Sequence, residues 1–268
     1  MKKRVISFSI FGEQSKYLQG IEENISLAHL FYPGWYVYIY YDNSVPQNFL
    51  NEFRFQKDVV LIDMTNEKLP GMFWRFLPYD DLEIELFIVR DLDSRISIRE
   101  AVAVYEWVNS TKNLHIMRDH PFHSKLIMGG MWGLKRSLNF SIKDKMRSYL
   151  SVENSEFDLF EREVDQQFLE KVIYPMFFFS KIIHASFNKY EYATKEFIVK
   201  RVGNSFIGET FINNKFNFLD REAIKVSDLS LTEMIKLYFL KFYHFCFSLS
   251  RAIKLFLKSS KIGFSPNN

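Results

Sequence analysis

Two carboxylates one residue apart, Asp91 and Asp93, close the apolar run Leu86-Phe87-Ile88-Val89 near the middle of the chain. Such a run, bounded by polar residues, predicts a buried strand. Open α/β sheets collect their ligands outside the carboxyl ends of strands, and side chains at i and i+2 of extended backbone point the same way. So placed, Asp91 and Asp93 would hold a hard divalent cation, which takes oxygen ligands and bridges to substrate phosphates. The bland alternative is a capped turn without metal. His115, His120 and His123, with Asp119 between them, raise the question of zinc, but their spacing fits no compact ligand pattern and the single Cys246 adds nothing. His120 and His123 are expected instead on a loop lining the cleft, where ring nitrogens can meet sugar hydroxyls or a phosphate. Arg118 serves either as an anion clamp or as a partner of Asp119. Trp132 either stacks on a sugar face or closes the core.

The elements that must position these groups alternate. Strands are expected over residues 5–11, 35–41 and 59–63, with helices over 16–30 and 49–53 between them. Strand, helix, strand, helix, strand is the pattern of a parallel α/β sheet. One or two helical turns over 72–78 precede the central strand. A helix over 98–107 follows it, with Ser97 as N-cap and Glu100 as the return member of a capping box. A short strand is expected over 114–117, then a loop over 128–133 whose three glycines permit close backbone approach to a ligand. Helices are expected over 142–150 and 164–172, and mostly loop with short strands over 177–211.

Composition sets the bounds. A chain of 268 residues with 47% hydrophobic content buries a substantial core. The basic start Met1-Lys2-Lys3-Arg4 lacks the apolar stretch of a signal peptide after it, so no secretion is expected. A net charge of +3 and the lack of any helix-turn-helix, RNP or zinc-finger spacing argue against a nucleic-acid partner. Residues 232–257 change character: strongly aromatic and aliphatic, broken by Lys236, Lys241, Arg251 and Lys254, with Glu233 the only acid. No run there is long enough to span a bilayer. The expectation is a basic amphipathic helix on an anionic membrane surface; the alternative is a helix packed on the domain or on a partner chain.

Trp74-Arg75-Phe76-Leu77-Pro78, standing ahead of Phe87-Ile88-Val89-Arg90-Asp91-Leu92-Asp93, together with Asp165-Gln166-Gln167-Phe168-Leu169, resembles the motifs of the nucleotide-sugar glycosyltransferases of the GT-A fold. Within them the chain looks most like glycosyltransferase family 8, the glycogenin and lipopolysaccharide galactosyltransferase group. The likeness covers roughly residues 5 to 210. It implies a Rossmann-like α/β domain with a mostly parallel central sheet over residues 1–228, followed by the helical tail over 229–268. It further implies that Asp91, Asp93 and His184 bind Mn2+ or Mg2+ and that Arg75 lies near the donor. Asp119, Asp165 and Gln166 would face the reacting sugar, and Gly129-Gly130 would form a loop beneath it. Phe8, Phe11, Gly12 and Tyr17 would build the nucleotide pocket, with Phe8 equally readable as core. Two departures stand out: the asparagine of the family's Asn-x-Gly loop is missing, and Ala185-Ser186 follow His184 where the family has glycine and Lys-Pro-Trp.

The function expected from this likeness is transfer of a sugar, with retention of configuration, from a nucleotide sugar, most simply a UDP-sugar, to a saccharide or lipid-linked acceptor in surface polysaccharide or lipooligosaccharide synthesis. The expected place is cytoplasmic, attached peripherally to an anionic membrane through residues 231–258. An inverting enzyme would need a carboxylate base, for which Asp119 is the candidate. Two rivals use the same features differently: a metal-dependent nucleotidyl- or phosphotransferase, and a carbohydrate-binding protein without catalysis. No role for Arg90, Ser94 or Arg95 follows from the sequence.

Overall fold

The computed structural model describes residues 2–12, 15–153, 163–189 and 191–225, together with 239, 242–243, 245–254 and 257. In chain order the elements are β1 (Lys3–Ile10), α1 (Ser15–Phe31), β2 (Tyr36–Tyr41), α2 (Gln47–Asn51), β3 (Val59–Asp63), α3 (Gly71–Trp74), β4 (Ile84–Val89), α4 (Ile98–Val108), β5 (Leu114–Arg118), β6 (Trp132–Lys135), α5 (Ile142–Glu153), α6 (Val164–Phe168), α7 (Tyr174–Met176), β7 (Lys181–Ala185), β8 (Thr194–Lys195), β9 (Phe211–Ile212), β10 (Lys215–Phe216) and α8 (Phe218–Lys225). A short 3-10 turn lies at Leu77–Asp80, and a π-helical turn at Leu169–Ile173 joins α6 to α7. Eight strands form one sheet in the order β3-β2-β1-β4-β6-β5-β7-β8, parallel except for β6. This is the α/β class that the alternation of elements predicts.

Both faces of the sheet are covered, so its strands bury nearly every residue instead of alternating with solvent. The pleat still sorts them. Leu86 and Ile88 of β4 join the core beneath α1 and α4, with Ile6, Phe8 and Ile10 of β1. Phe87 and Val89 join the opposite core, with Phe73, Phe76, Trp132 and Phe168. Carried two residues further, the same alternation sends Arg90 to the first face, where it pairs with Glu100 at 2.7 Å. It sends Asp91 to the second face, towards Arg75.

The sheet reverses its winding between β1 and β4, and the crevice at such a switch point is where open α/β sheets bind ligands. Phe11 and Gly12 leave the end of β1 there, and Asp91 to Ser94 leave the end of β4. These four residues are not extended. Ser94 N–H donates to the Asp91 carbonyl at 3.2 Å and the Ser94 hydroxyl to the same oxygen at 2.8 Å, so Asp91 and Asp93 sit on a turn. Helix α1 holds that turn from below. The buried Asn24 amide donates to the carbonyls of Ser94 at 2.8 Å and Gly20 at 2.9 Å, and its oxygen accepts from Ile96 N–H at 3.1 Å. Arg95 adds bonds to the Leu92 and Ser94 carbonyls at 3.2 and 3.0 Å and an ion pair with Glu23.

Two strands differ from the sequence expectation. β6 begins inside the glycine loop at Trp132, whose ring is fully buried, so Trp132 closes the core. β7 lies in the stretch expected to be mostly loop with short strands, but it is entirely buried, which its charged Lys181 and polar His184 disguise. Ser97 caps α4 as expected, accepting from Glu100 N–H at 3.3 Å, but the Glu100 carboxylate serves Arg90 and Tyr32 and does not return to the cap.

Gly20 is required where α1 crosses the acidic turn, because a Cβ there would lie 1.7 Å from the Leu92 carbonyl oxygen. Backbone on both sides leaves no cheap relief. Gly20→Ala is therefore expected to destabilise the fold by about 1–3 kcal/mol, the usual cost of overpacking, measured as a fall in the urea midpoint. An unchanged midpoint would refute this contact.

Candidate active site

Arg75 is the centre. Pro70 starts α3, a single turn, and Ser9 on β1 fixes its end by accepting from Arg75 N–H at 2.9 Å. The guanidinium is nearly buried and bridges two carboxylates from distant parts of the chain: Asp91 at the end of β4, and Asp165 in the first turn of α6 at 2.8 Å. Burial opposes the Arg75 charge, but the two carboxylates outweigh it and hold the group protonated more firmly than usual. For Asp165 burial wins: its carboxyl is raised above the ordinary value, with Arg75 offsetting only part of the shift. Arg75 Nε and Gln166 Oε1 are both buried without a hydrogen-bond partner among the described residues. Orphaned buried polar atoms are rare enough in folded proteins to mark a functional position.

Gly129 and Gly130 roof this trio. A Cβ on Gly130 would lie 1.9 Å from Asp91 Oδ2, and one on Gly129 would lie 2.7 Å from Asp165 Oδ2 and 2.9 Å from Arg75 Nη2. The glycine pair thus brings bare backbone against the carboxylates. Phe11 stands at the rim, about two-fifths exposed, edge-on to Trp74 with ring centroids 5.9 Å apart. Gly12 adopts a positive φ of 74° and donates its N–H to the Ser44 hydroxyl at 2.6 Å. Tyr17 is half-buried against the α1 core.

Three candidates fall outside the cluster. Phe8 is wholly buried among Ile6, Ile10 and Ile39, so it is core and cannot stack a base. His184 lies on β7, three strand spacings or about 14 Å from β4, and bonds His115 at 2.9 Å and Glu106 at 2.9 Å. It cannot share an ion with Asp91 and Asp93. Asp119 is fully enclosed. Arg99 grips it with two bonds of 2.9 Å, Ser186 donates at 2.6 Å, Ile207 N–H donates at 3.1 Å, and Arg201 forms an ion pair. His120 and His123 are likewise engaged internally, His120 Nε2 with the Asp220 carbonyl at 2.7 Å and His123 Nδ1 accepting from Asp119 N–H at 3.0 Å. Arg118 pairs with the buried Glu191 at 2.6 Å, not with Asp119.

Asn24 and Ser9, which support the site, and Arg99 and Arg201, which hold Asp119 outside it, have no counterpart in the motifs. Asn24 alone carries a sequence signal, a polar residue set in the apolar stripe of Ile21, Ile25 and Ala28.

No group of three or more His, Cys, Asp or Glu able to hold a metal occurs among the described residues. The acidic turn suits a different arrangement. Asp91 remains 43% exposed, and the single charge of Arg75 is shared between the two carboxylates Asp91 and Asp165. A magnesium-like ion is commonly held by one or two carboxylates and completed by substrate phosphates, and the turn fits that role.

No protein-family model and no curated protein matches the chain. Solved structures do. The chain is similar to the glycosyltransferase GlyE of Streptococcus pneumoniae TIGR4, at 14% identity and a TM-score of 0.48, over 68% of this chain and 45% of that one. It is similar to the galactosyltransferase LgtC, solved with donor and acceptor sugar analogues, at 10% identity and a TM-score of 0.47, over 68% of this chain and 73% of that one. It is also similar to 4-diphosphocytidyl-2C-methyl-D-erythritol synthase of Anaerococcus prevotii DSM 20548, at 12% identity and a TM-score of 0.41, over 74% of this chain and 94% of that one. The chain thus spans less than half the length of GlyE.

Asp119 has a measurable signature. Burial pushes its carboxyl up, but the hydrogen bond from Arg99, the Arg201 charge and the Ser186 hydroxyl reverse this and hold it below 3.8. A carboxyl lowered in the folded state stabilises above its unfolded value and loses that contribution as pH falls through the folded one. Asp119→Asn should therefore cost about 3–5 kcal/mol at neutral pH and flatten the fall of Tm below pH 3.8. Calorimetric unfolding of both proteins across that range is the check, and parallel acid limbs would contradict it.

Proposed function

We propose that this chain is a metal-assisted glycosyltransferase moving a sugar from a nucleotide-sugar donor to a saccharide or lipid-linked acceptor. The observation that carries the proposal is the Arg75 bridge between Asp91 and Asp165 beneath Gly129-Gly130, at the switch point of the sheet. Breaking a sugar–phosphate bond builds negative charge on the departing diphosphate, and preorganised cations stabilise that charge. Arg75 is fixed in place by its two carboxylates and by Ser9, so little reorganisation is needed. Asp91 and Asp93 would hold a divalent cation, which supplies further neutralisation of the leaving group when bound. His184 takes no part. Asp165 and Gln166 lie on the α6 side, where Gln166 Oε1 would find a partner in a sugar hydroxyl.

Retention of configuration suits this site. The carboxylate considered as an inverting base, Asp119, is sealed from solvent and lowered in basicity by Arg99 and Arg201. With that base out of reach, the departing phosphate itself takes the acceptor proton. The nucleotide would lie along Phe11 and Gly12, and uridine diphosphate is the first carrier to test. Acceptors of surface polysaccharide or lipooligosaccharide synthesis at the cytoplasmic membrane face suit the aromatic basic tail. No helix among the described residues is long and apolar enough to cross a membrane, and the tail is proposed to dock peripherally on anionic lipid.

Titration calorimetry with nucleotide sugars and Mn2+ or Mg2+ tests the reading. Saturable metal-dependent binding is expected, weakened at least about tenfold, or 1.4 kcal/mol, in Asp93→Ala. A wild-type protein that binds no nucleotide sugar with metal present would overturn it. Arg75→Lys keeps the charge but loses the planar fork that gives each carboxylate its own nitrogen, and a loss of about 10²–10³ in turnover is expected. With a doubly labelled donor, release of nucleoside diphosphate supports sugar transfer; release of sugar 1-phosphate points to nucleotidyl transfer, and release of a nucleoside monophosphate to sugar-phosphate transfer.

A further inference from the structure

Away from the donor site, a cleft of about 530 Å³ opens between the amino-terminal half of α5, the π-helical turn after α6 and the helix at residues 245–254. Its wall carries three cations, Lys145, Lys171 and Arg251, against one carboxylate, Asp144, and includes the rings of Phe140 and Tyr149. Lys145 Nζ stands 5.3 Å from the Phe140 ring centroid, and Lys171 Nζ stands 5.7 Å from that of Tyr149. The cleft is separate from the Arg75 cluster: Tyr149 backs onto Phe168, which in turn packs on Phe73 and Phe76. None of its lining residues touches the acidic turn.

The helix on its flank is built outside in. At 100° per residue, Phe245, Ser248, Leu249 and Ala252 share one face, which packs on the domain; Phe245 meets Phe178 with ring centroids 5.5 Å apart. Tyr243, Phe247 and Lys254 lie on the opposite face, and Phe242, Ile253 and Leu257, towards one flank, are exposed as well. Arg251 falls on the border between the two faces, at the mouth of the cleft. An exposed apolar patch rimmed by polar groups marks an interaction surface. Aromatic insertion combined with cations is the recognition chemistry of an anionic bilayer surface.

We infer that this cleft is a binding site for the phosphate of an anionic lipid headgroup, seated by Lys145, Lys171 and Arg251 while the neighbouring helix sinks its aromatic face into the same leaflet. The inference rests on the proposed peripheral docking of the tail and adds to it a defined anion site. Seating one phosphate at the cleft and one helix face in the leaflet fixes two points of contact. The protein then has a set orientation on the membrane, which a diffuse basic patch would not give.

Co-sedimentation of the full chain with vesicles of phosphatidylcholine, with and without phosphatidylglycerol, tests both layers. Binding that requires phosphatidylglycerol is expected, about a hundredfold weaker in the triple variant Lys145→Gln, Lys171→Gln, Arg251→Gln. The triple variant Arg54→Gln, Lys57→Gln, Lys200→Gln removes the same charge from exposed positions elsewhere and should bind much more like wild type. Matching thermal unfolding confirms that the variants fold. If wild type binds and both triple variants weaken alike, the cleft assignment is wrong while membrane docking stands. Failure of wild type to sediment with phosphatidylglycerol overturns docking itself, and the lipid site with it. Glycerol 3-phosphate titrated without vesicles separates the sources: tight binding lost in the cleft variant, beside unaltered vesicle binding, would assign the cleft to a soluble phosphate.

Discussion

A guanidinium taken out of water must keep its charge and find acceptors for its donors, and that requirement organises the carboxyl-terminal edge of the sheet in this protein. Arg75 meets it with two carboxylates that lie 74 residues apart in the chain, Asp91 and Asp165. Removing Arg75 would leave the buried Asp165 carboxylate uncompensated, which costs several kcal/mol, so the two carboxylates depend on the arginine between them. The rest of the edge follows from it. Pro70 and Ser9 set the short helix that carries Arg75, and Gly129 and Gly130 lack side chains because the carboxylates occupy the space a Cβ would need. Asp165 is correspondingly the strained member, buried enough that its carboxyl is raised despite the neighbouring cation.

The same residue type meets opposite fates a few strands apart. Asp91 gives one oxygen to Arg75 and leaves much of its side chain open to solvent, on a turn held from below by Asn24 and Arg95. Asp119 surrenders both oxygens to Arg99, Arg201, Ser186 and a backbone amide. The first arrangement retains coordinating capacity; the second spends it on fastening the segment around residues 199–207 to the end of β5. Geometry, and not the presence of a carboxylate near a strand end, decides which aspartate can do chemistry.

Much of the scaffold was legible because β-branched and aromatic runs such as Val59 to Asp63 and Leu86 to Val89 have few alternatives to a strand. β6 and β7 were not. Gly133 within β6 lies close to Ile88 and Trp107 and reads as loop, while Lys181 in β7 reads as surface. Its ammonium is in fact enclosed by the rings of Tyr174, Phe178 and Tyr192, with Glu191 3.8 Å away, and burial brings it down to about 8. Of the site, the place of Asp91 and Asp93 at the end of a buried strand was readable from local pattern, though they sit on a turn and not on the extended backbone expected, and Arg75 and Asp165 only through resemblance. Their meeting depends on the path of the chain between them, which no local rule encodes. His184 shows the converse failure. A histidine at a plausible distance in sequence was placed three strands away once the buried β7 claimed it.

The tail helix inverts the usual rule that folding hides large apolar side chains and leaves small or polar ones outside. Against the domain it buries Ser248 and Ala252, whose size allows close approach, and packs Phe245 and Leu249 beside them, yet it leaves Phe242, Tyr243 and Phe247 exposed. Apolar area exposed to water forgoes roughly 25 cal/mol per Å², so a helix that faced its aromatics inward would stabilise the isolated chain more. An arrangement that gives up that stabilisation fits a chain whose relevant surroundings are not water alone. Arg251, on the border of the packed face, joins the cleft to the exposed residues of the helix. The Arg75 cluster lies behind the aromatic layer of Phe168, Phe73 and Phe76, which separates its buried charges from the three cations of the cleft.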